Sequence, residues 1–304
     1  RVGDGARGDR GAGERDGRVE PMISIEIPTL GEGTLGAALE SVRRQTLQDY
    51  EVLVLDGSPD HSASDVARAY GARVIRMRCN LLRARYELHG AARGEAALLL
   101  DATRILRRDA LEVLGGAGGE MVVAAEREAR TGVLSGAIDL DRRLAVEAAV
   151  EADVGYLDAY VLPRYFSSPL LSRAMESLRV GLGADFDAVI GEDHRMIFLE
   201  ALRISGWRPG SVRIVTEPLI LHVGNGSIRG ILGKSFRYGS TAVVAARHRP
   251  EVLRRRARRS SGLRAREVAA LYMLYAIQYI GYSAGYAVGT LREWSRRGGG
   301  GGSA

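Results

Sequence analysis

Cysteine is almost missing from this chain: Cys79 is the only one among 304 residues. An internal disulfide framework and a cysteine-based zinc site are therefore excluded, which fits a reducing compartment and leaves Cys79 as a small buried residue. Lysine is as scarce. Lys234 stands alone, so the formal net charge of +6 is carried by arginine. Such a surplus suits contact with phosphates, whether of nucleotides, nucleic acid or anionic lipid, and the positions of the arginines decide between them. No interleaved recognition motif accompanies the arginines, so nucleic acid is not expected as a partner. Residues 1–21 have almost no apolar side chains and no apolar h-region, so they read as disordered and not as a secretion signal, with Met22 as a candidate natural start. The glycine-rich tail, 298–304, reads the same way.

What the chain does have is enough apolar material, 46% of its residues, for one large core or two modest ones. From Met22 to about Leu114 strand and helix patterns alternate. Strands are expected at Met22–Pro28, Glu51–Leu55, Arg73–Met77 and Ala96–Leu100, and helices at Thr34–Thr46, Ser64–Tyr70 and Leu82–Arg93. Val52-Leu53-Val54-Leu55 and Ala96-Ala97-Leu98-Leu99-Leu100 are continuous apolar runs, the mark of strands covered on both faces. Repeated βα units joined by short loops predict a mostly parallel sheet wrapped by helices. Ligands of such sheets sit at the carboxyl ends of the strands, where Pro28, Asp56 and Asp101 fall.

A second acidic site lies far downstream. Gly191-Glu192-Asp193 opens an amphipathic helix whose buried stripe is Met196, Ile197, Leu199 and Leu202, and Glu200 returns to the face of Asp193. An acidic helix start complements the macrodipole by itself. Two carboxylate sites on the rims of distant elements also suit one active site assembled by folding.

Ile25-Glu26-Ile27-Pro28-Thr29, Leu39 to Thr46 and Glu51 to Asp60 together resemble the opening of the family 2 glycosyltransferases. Arg85 lies 16 residues before Asp101, the spacing that family shows between a helix arginine and the first acid of its Asp-x-Asp motif. Gly191-Glu192-Asp193 is similar to its later Glu-Asp motif. The resemblance covers roughly residues 22–225. It implies an α/β GT-A fold, Rossmann-like with a mostly parallel sheet flanked by helices, in a catalytic domain at 22–226. A helical extension at 227–297 follows, as in membrane-associated, archaeal-type members. One departure stands out: Asp101-Ala102-Thr103 places threonine where the family usually has its second acid, and a hydroxyl is the weaker ligand.

The resemblance also implies roles. Asp193 would be the general base of an inverting transfer, accepting the acceptor hydroxyl's proton. Pro28, Thr29 and Asp56 would hold the nucleotide, Arg85 a phosphate, and Asp101 the diphosphate together with a divalent cation, Mg²⁺ or Mn²⁺. His222, at a strand end, is the second candidate metal ligand. Glu192, Glu200 and Lys234 are candidate contacts to acceptor or phosphate. Each has a plainer alternative: a turn cap for Asp56 and Asp101, a structural histidine at 222, a salt bridge for Arg85 and Glu200, and a solvated helix face around Lys234.

Beyond Gly226, Arg254 to Arg259 form a basic run, and Val268 to Leu291 are 24 residues without a charge. Tyrosines spread along that stretch make it a soft hydrophobe, open to three readings: a bilayer span, an in-plane helical hairpin, or a helix packed on the catalytic domain. The arginine run favours anionic headgroups on the cytoplasmic face of a membrane. The expected activity is sugar transfer from a UDP- or GDP-sugar to a lipid-linked or surface glycan acceptor. The alternatives are a polyprenyl-phosphate hexose synthase and a nucleotide-sugar-binding scaffold without turnover.

Overall fold

The computed structural model describes residues 22–298 apart from 130, 155–156, 158–160, 225 and 254–261. The two segments expected to be disordered, save for Gly298, and the 254–259 arginine run lie outside the described residues.

The N-terminal half follows the βα pattern within three residues at each end. β1 (Ile23–Thr29), α1 (Leu35–Arg43), β2 (Tyr50–Asp56), α2 (Ser62–Ala69), β3 (Arg73–Arg76), α3 (Leu81–Ala91) and β4 (Ala96–Leu99) succeed one another. β5 (Arg104–Leu106), α4 (Ala110–Gly116), β6 (Met121–Glu128), α5 (Val133–Val150), β7 (Tyr165–Ser167), α6 (Ser168–Leu182), α7 (Asp193–Ile204) and β8 (Val212–His222) come next. The long helices α8 (Ile228–His248) and α9 (Ala265–Gly298) close the chain. The strands form one sheet in the order β3-β2-β1-β4-β7-β6-β8-β5. β3, β2, β1 and β4 run parallel, whereas β7 is antiparallel to both its neighbours and β5 is antiparallel to β8.

Strand period explains the two cores. Along β4 and the residue after it, Ala96, Leu98 and Leu100 face the layer of α1, with Ile23, Ile25, Ile27 and Leu39. Ala97 and Leu99 face the other layer, with Phe166, Leu170, Phe198 and Leu202. A strand buried on both faces has no polar positions to alternate, which is why its sequence is a continuous apolar run. The parallel register brings Thr29 beside Asp56, and Asp101 follows β4, so these residues share the carboxyl edge of the sheet.

The C-terminal extension is bound to this body. Val244 and Ala245 of α8 join the core around Phe198, and Leu271 and Leu274 of α9 pack on Leu134, Ala137 and Leu140 of α5. Tyr275 donates a hydrogen bond to Asp141 Oδ1 at 2.6 Å. α9 lies backbone to backbone against α8: side chains at Gly285 or Gly289 would overlap the carbonyls of Phe236 and Ser240. Among the described residues no helix is long and apolar enough to cross a membrane, which corrects the bilayer-span reading of 268–291. The reason lies in composition, since Gly281, Gly285 and Gly289 serve the contact with α8, Tyr275 that with α5, and the glycines and tyrosines dilute the apolar content.

The close approach makes a prediction. Gly285→Val should destabilise the protein by about 1–3 kcal/mol through overpacking. Gly233→Ala, on a face of α8 with open space, should be neutral or stabilising by up to about 1 kcal/mol. Equal melting temperatures for the two variants would show that the α8–α9 contact is not as described.

Candidate active site

α3 carries Arg85 into the interior, where it has no solvent exposure. Its Nε donates to Asp193 Oδ2 at 2.7 Å and its Nη2 to Asp101 Oδ1 at 2.5 Å. One guanidinium thus joins the acid after β4 to the acid that begins α7, and the two distant carboxylate sites do converge. Burial of such a charge is tolerable because both partners are ionised acceptors with direct hydrogen bonds.

Asp101 takes more than one arginine. Its backbone carbonyl accepts from Arg104 N at 3.0 Å in a tight turn, and its second carboxylate oxygen accepts from the Arg104 side chain. Arg164, just before β7, stands 3.5 Å from the same oxygen. Behind them lies Glu126 on β6, which accepts from Arg104 Nε at 3.1 Å and also from Arg142 of α5 and from Arg164. Burial alone would raise the Glu126 carboxyl, but Arg104, Arg164 and Arg142 override it and hold it well below its ordinary value. Burial, then the neighbouring Arg164, pushes the Arg104 guanidinium down to about 9. His194 is kept neutral by burial and by Arg85, Arg164 and Arg104, its pKa lying well below the usual histidine range.

His222 ends β8 in register with Arg104. Its Nδ1 meets Glu128 Oε2 at 2.6 Å, and burial, opposed by that bond, brings it down to about 4. Lys234, on α8, lies 5.6 Å from the centre of the Tyr238 ring. One side of it is exposed, yet the protein crowding around it, with Arg104 and Arg142, pushes its amine down to about 8. Tyr238 packs against the backbone of Gly191, where any side chain would overlap its ring. The glycine of the Gly-Glu-Asp motif is thereby explained by close approach to α8, and the motif is clamped between α3 and α8.

Other expected site residues fall nearby or elsewhere. Pro28 and Thr29 are buried at the end of β1, and Thr29 Oγ1 donates to Glu32 Oε2 at 2.6 Å. Asp56 is fully buried in the adjacent turn. Its Oδ1 accepts from Ser58 N and Oγ at 2.9 and 2.5 Å, and its Oδ2 from Ser64 Oγ at 2.6 Å. Burial raises the Asp56 carboxyl, and these bonds more than offset the rise, leaving it lowered. Glu192 is buried beside Asp193. Glu200 is not part of the cluster: it accepts from Ser177 at 2.6 Å and pairs with Arg203 and Arg249 between α6, α7 and the end of α8. Its place on the face of Asp193 is outweighed by two turns of separation along the helix.

The residues around Asp101 do not fit a divalent cation. Both of its carboxylate oxygens already accept from guanidinium groups. Thr103 supplies no carboxylate. Among the described residues no three histidine, cysteine or acidic side chains are grouped to hold a metal. His222 alone has the right form, a neutral ring oriented by a carboxylate, yet it faces arginines in place of further oxygen ligands. The expected ligand pair of Asp101 and His222 is therefore not assembled as a coordination shell.

Residues 24–116 match the family model described as Glycosyl transferase family 2. That match spans less than a third of the chain, and the whole has the GT-A fold of the solved glycosyltransferase structures it is similar to. A mycobacterial protein of known crystal structure is similar at 17% identity and a TM-score of 0.51, over 75% of this chain and 74% of that one. Glucosyl-3-phosphoglycerate synthase from Mycobacterium tuberculosis, solved with Mn²⁺, UDP and glucosyl-3-phosphoglycerate, is similar at 18% identity and a TM-score of 0.50, over 73% of this chain and 79% of that one. S. aureus TarS 1-349 aligns at 12% identity and a TM-score of 0.46, over 91% of each chain. No curated protein matches by sequence.

Sequence reasoning did not find Arg104, Glu126, Glu128, Arg142 or His194. The rule that located Asp101 applies equally to Glu126 and Glu128, which end the apolar run of β6 on one face of the strand. Arg85→Met tests the bridge: with Asp101 and Asp193 left facing each other, stability should fall by about 3–5 kcal/mol, the usual cost of orphaning a buried charge. A denaturant midpoint matching the parent's would mean that Arg85 is not what holds the two acids.

Proposed function

We propose that the protein transfers a sugar, with inversion, from a nucleoside diphosphate donor to an acceptor hydroxyl or lipid phosphate in the cleft between Asp101 and Asp193. The observation that carries this reading is the shared guanidinium of Arg85, which sets Asp193 beside the acid at the carboxyl edge of the sheet. Residues 22–226 form the catalytic unit in this proposal, and 227–297 the appended helices.

For a hydroxyl acceptor, its oxygen forms a bond to the anomeric carbon while the bond from that carbon to the diphosphate oxygen breaks. The electron pair leaves with the diphosphate, and the hydroxyl proton passes to Asp193. A general base has to be held in place before the hydroxyl arrives, and the bond from Arg85 fixes the Asp193 carboxylate. Pro28, Thr29 and the Asp56 turn, one strand from β4, stand where the nucleoside would lie. No step is routed through a metal.

The acceptor is proposed to be lipid-linked or a surface glycan, met at the cytoplasmic face of a membrane. Supporting this is the outer face of α9, where Tyr272, Met273, Tyr279, Ile280, Leu291 and Trp294 are exposed. Exposed aromatic and aliphatic side chains on a helix without charges over 24 residues suit an interfacial position.

Asp193→Asn should keep donor affinity while transfer falls roughly 10²-fold or more, the usual scale for a general base. Transfer at the parent's rate would remove Asp193 from the mechanism. In flotation with vesicles containing anionic lipid, the protein should rise with the lipid and Ile280→Glu should rise less. Protein left entirely in the bottom fraction would end the membrane part of the proposal.

A further inference from the structure

Both carboxylate oxygens of Asp101 are engaged, while several donors around it are not. Arg85 Nη1, Arg142 Nε and His194 Nδ1 are buried side-chain atoms with no hydrogen-bond partner. Arg85 itself is wholly buried, with its other two nitrogens fixed on Asp193 and Asp101. An unmatched N–H on a buried guanidinium is costly, and an oxygen acceptor relieves it. Lys234 adds an ammonium that makes no ion pair among the described residues. A divalent cation brought here would meet at least five positive side chains and find both oxygens of Asp101 engaged. An anion with several oxygens would meet the donors it needs.

Taking the proposed sugar transfer as given, we infer that the donor's diphosphate is held by the guanidiniums of Arg85, Arg104 and Arg142 and the ammonium of Lys234, in place of a divalent cation. The planar fork of arginine matches phosphate oxygens in pairs, and preset cations at the leaving group stabilise the charge that develops as the glycosidic bond breaks. The arginines come from three elements, α3, β5 and α5, and the lysine from α8. The cluster is thus fixed by the fold before the donor arrives.

Calorimetric titration of UDP and of GDP, each in EDTA and in Mn²⁺, tests this, with Lys234→Met as the variant least able to disturb folding and Arg142→Met as the second. The expected result is binding in EDTA within about threefold of that in Mn²⁺. Each variant should lose roughly tenfold, about the worth of one charge-assisted contact, with no rescue by Mn²⁺. The lysine adds a pH readout, because its amine sits near 8 among Arg104 of β5, Arg142 of α5, and Glu126 and Glu128 of β6. Affinity should fall as pH rises through about 8 in the parent and hold in Lys234→Arg. Binding seen only with Mn²⁺ and unchanged in the variants would overturn the inference while leaving the donor reading intact. Absence of binding under either condition would overturn both.

Discussion

The guanidinium of Arg85 is the constraint on which the site depends. It is fully buried and hydrogen-bonded at once to the acid after β4 and the acid that opens α7. A charge in that position is tolerated only with ionised partners, so the fold is compelled to bring the two carboxylates together. Everything else at the carboxyl edge arranges itself around that requirement. α3 packs beneath β1, α7 is pinned at its first residue, and Tyr238 of α8 closes over Gly191 from the other side.

The second layer of the site follows from charge matching. Glu126 satisfies three arginines, which could not otherwise be buried so close together, and Glu128 fixes the ring of His222. Burial first, and the neighbouring cations after it, lower the proton affinity of Arg104, His194, His222 and Lys234 alike. Arg85, Arg104, Arg142 and Arg164 so close together give the region a positive potential, which a diphosphate would relieve in the proposed reading.

Much of the fold was legible because its elements obey local rules. β1 to β4 are apolar runs or alternations bounded by turn residues, and the helices between them have amphipathic spacing, so each could be placed before the sheet was seen. Asp101 and Asp193 were legible because each lies at the rim of such an element. Arg104 and Arg142 were not, because in a chain whose positive charge is nearly all arginine no single arginine stands out, and Arg164 suits ordinary packing as well as a phosphate. Their meaning comes from Glu126, which gathers them from β5, α5 and the approach to β7. α9 was ambiguous for a different reason. Gly281, Gly285 and Gly289 recur every fourth residue, one face of a helix meant for close approach, but the absence of charge over the same stretch drew attention to membranes first.

The central claim is that Asp101 and Asp193 act in one site through Arg85. A double-mutant cycle of Asp101→Asn and Asp193→Asn, read on the turnover of a nucleotide-sugar donor, tests it most directly. Residues that share one cation and one reaction should be strongly coupled, the double variant losing far less than the two single losses combined. Losses that simply multiply would contradict the account.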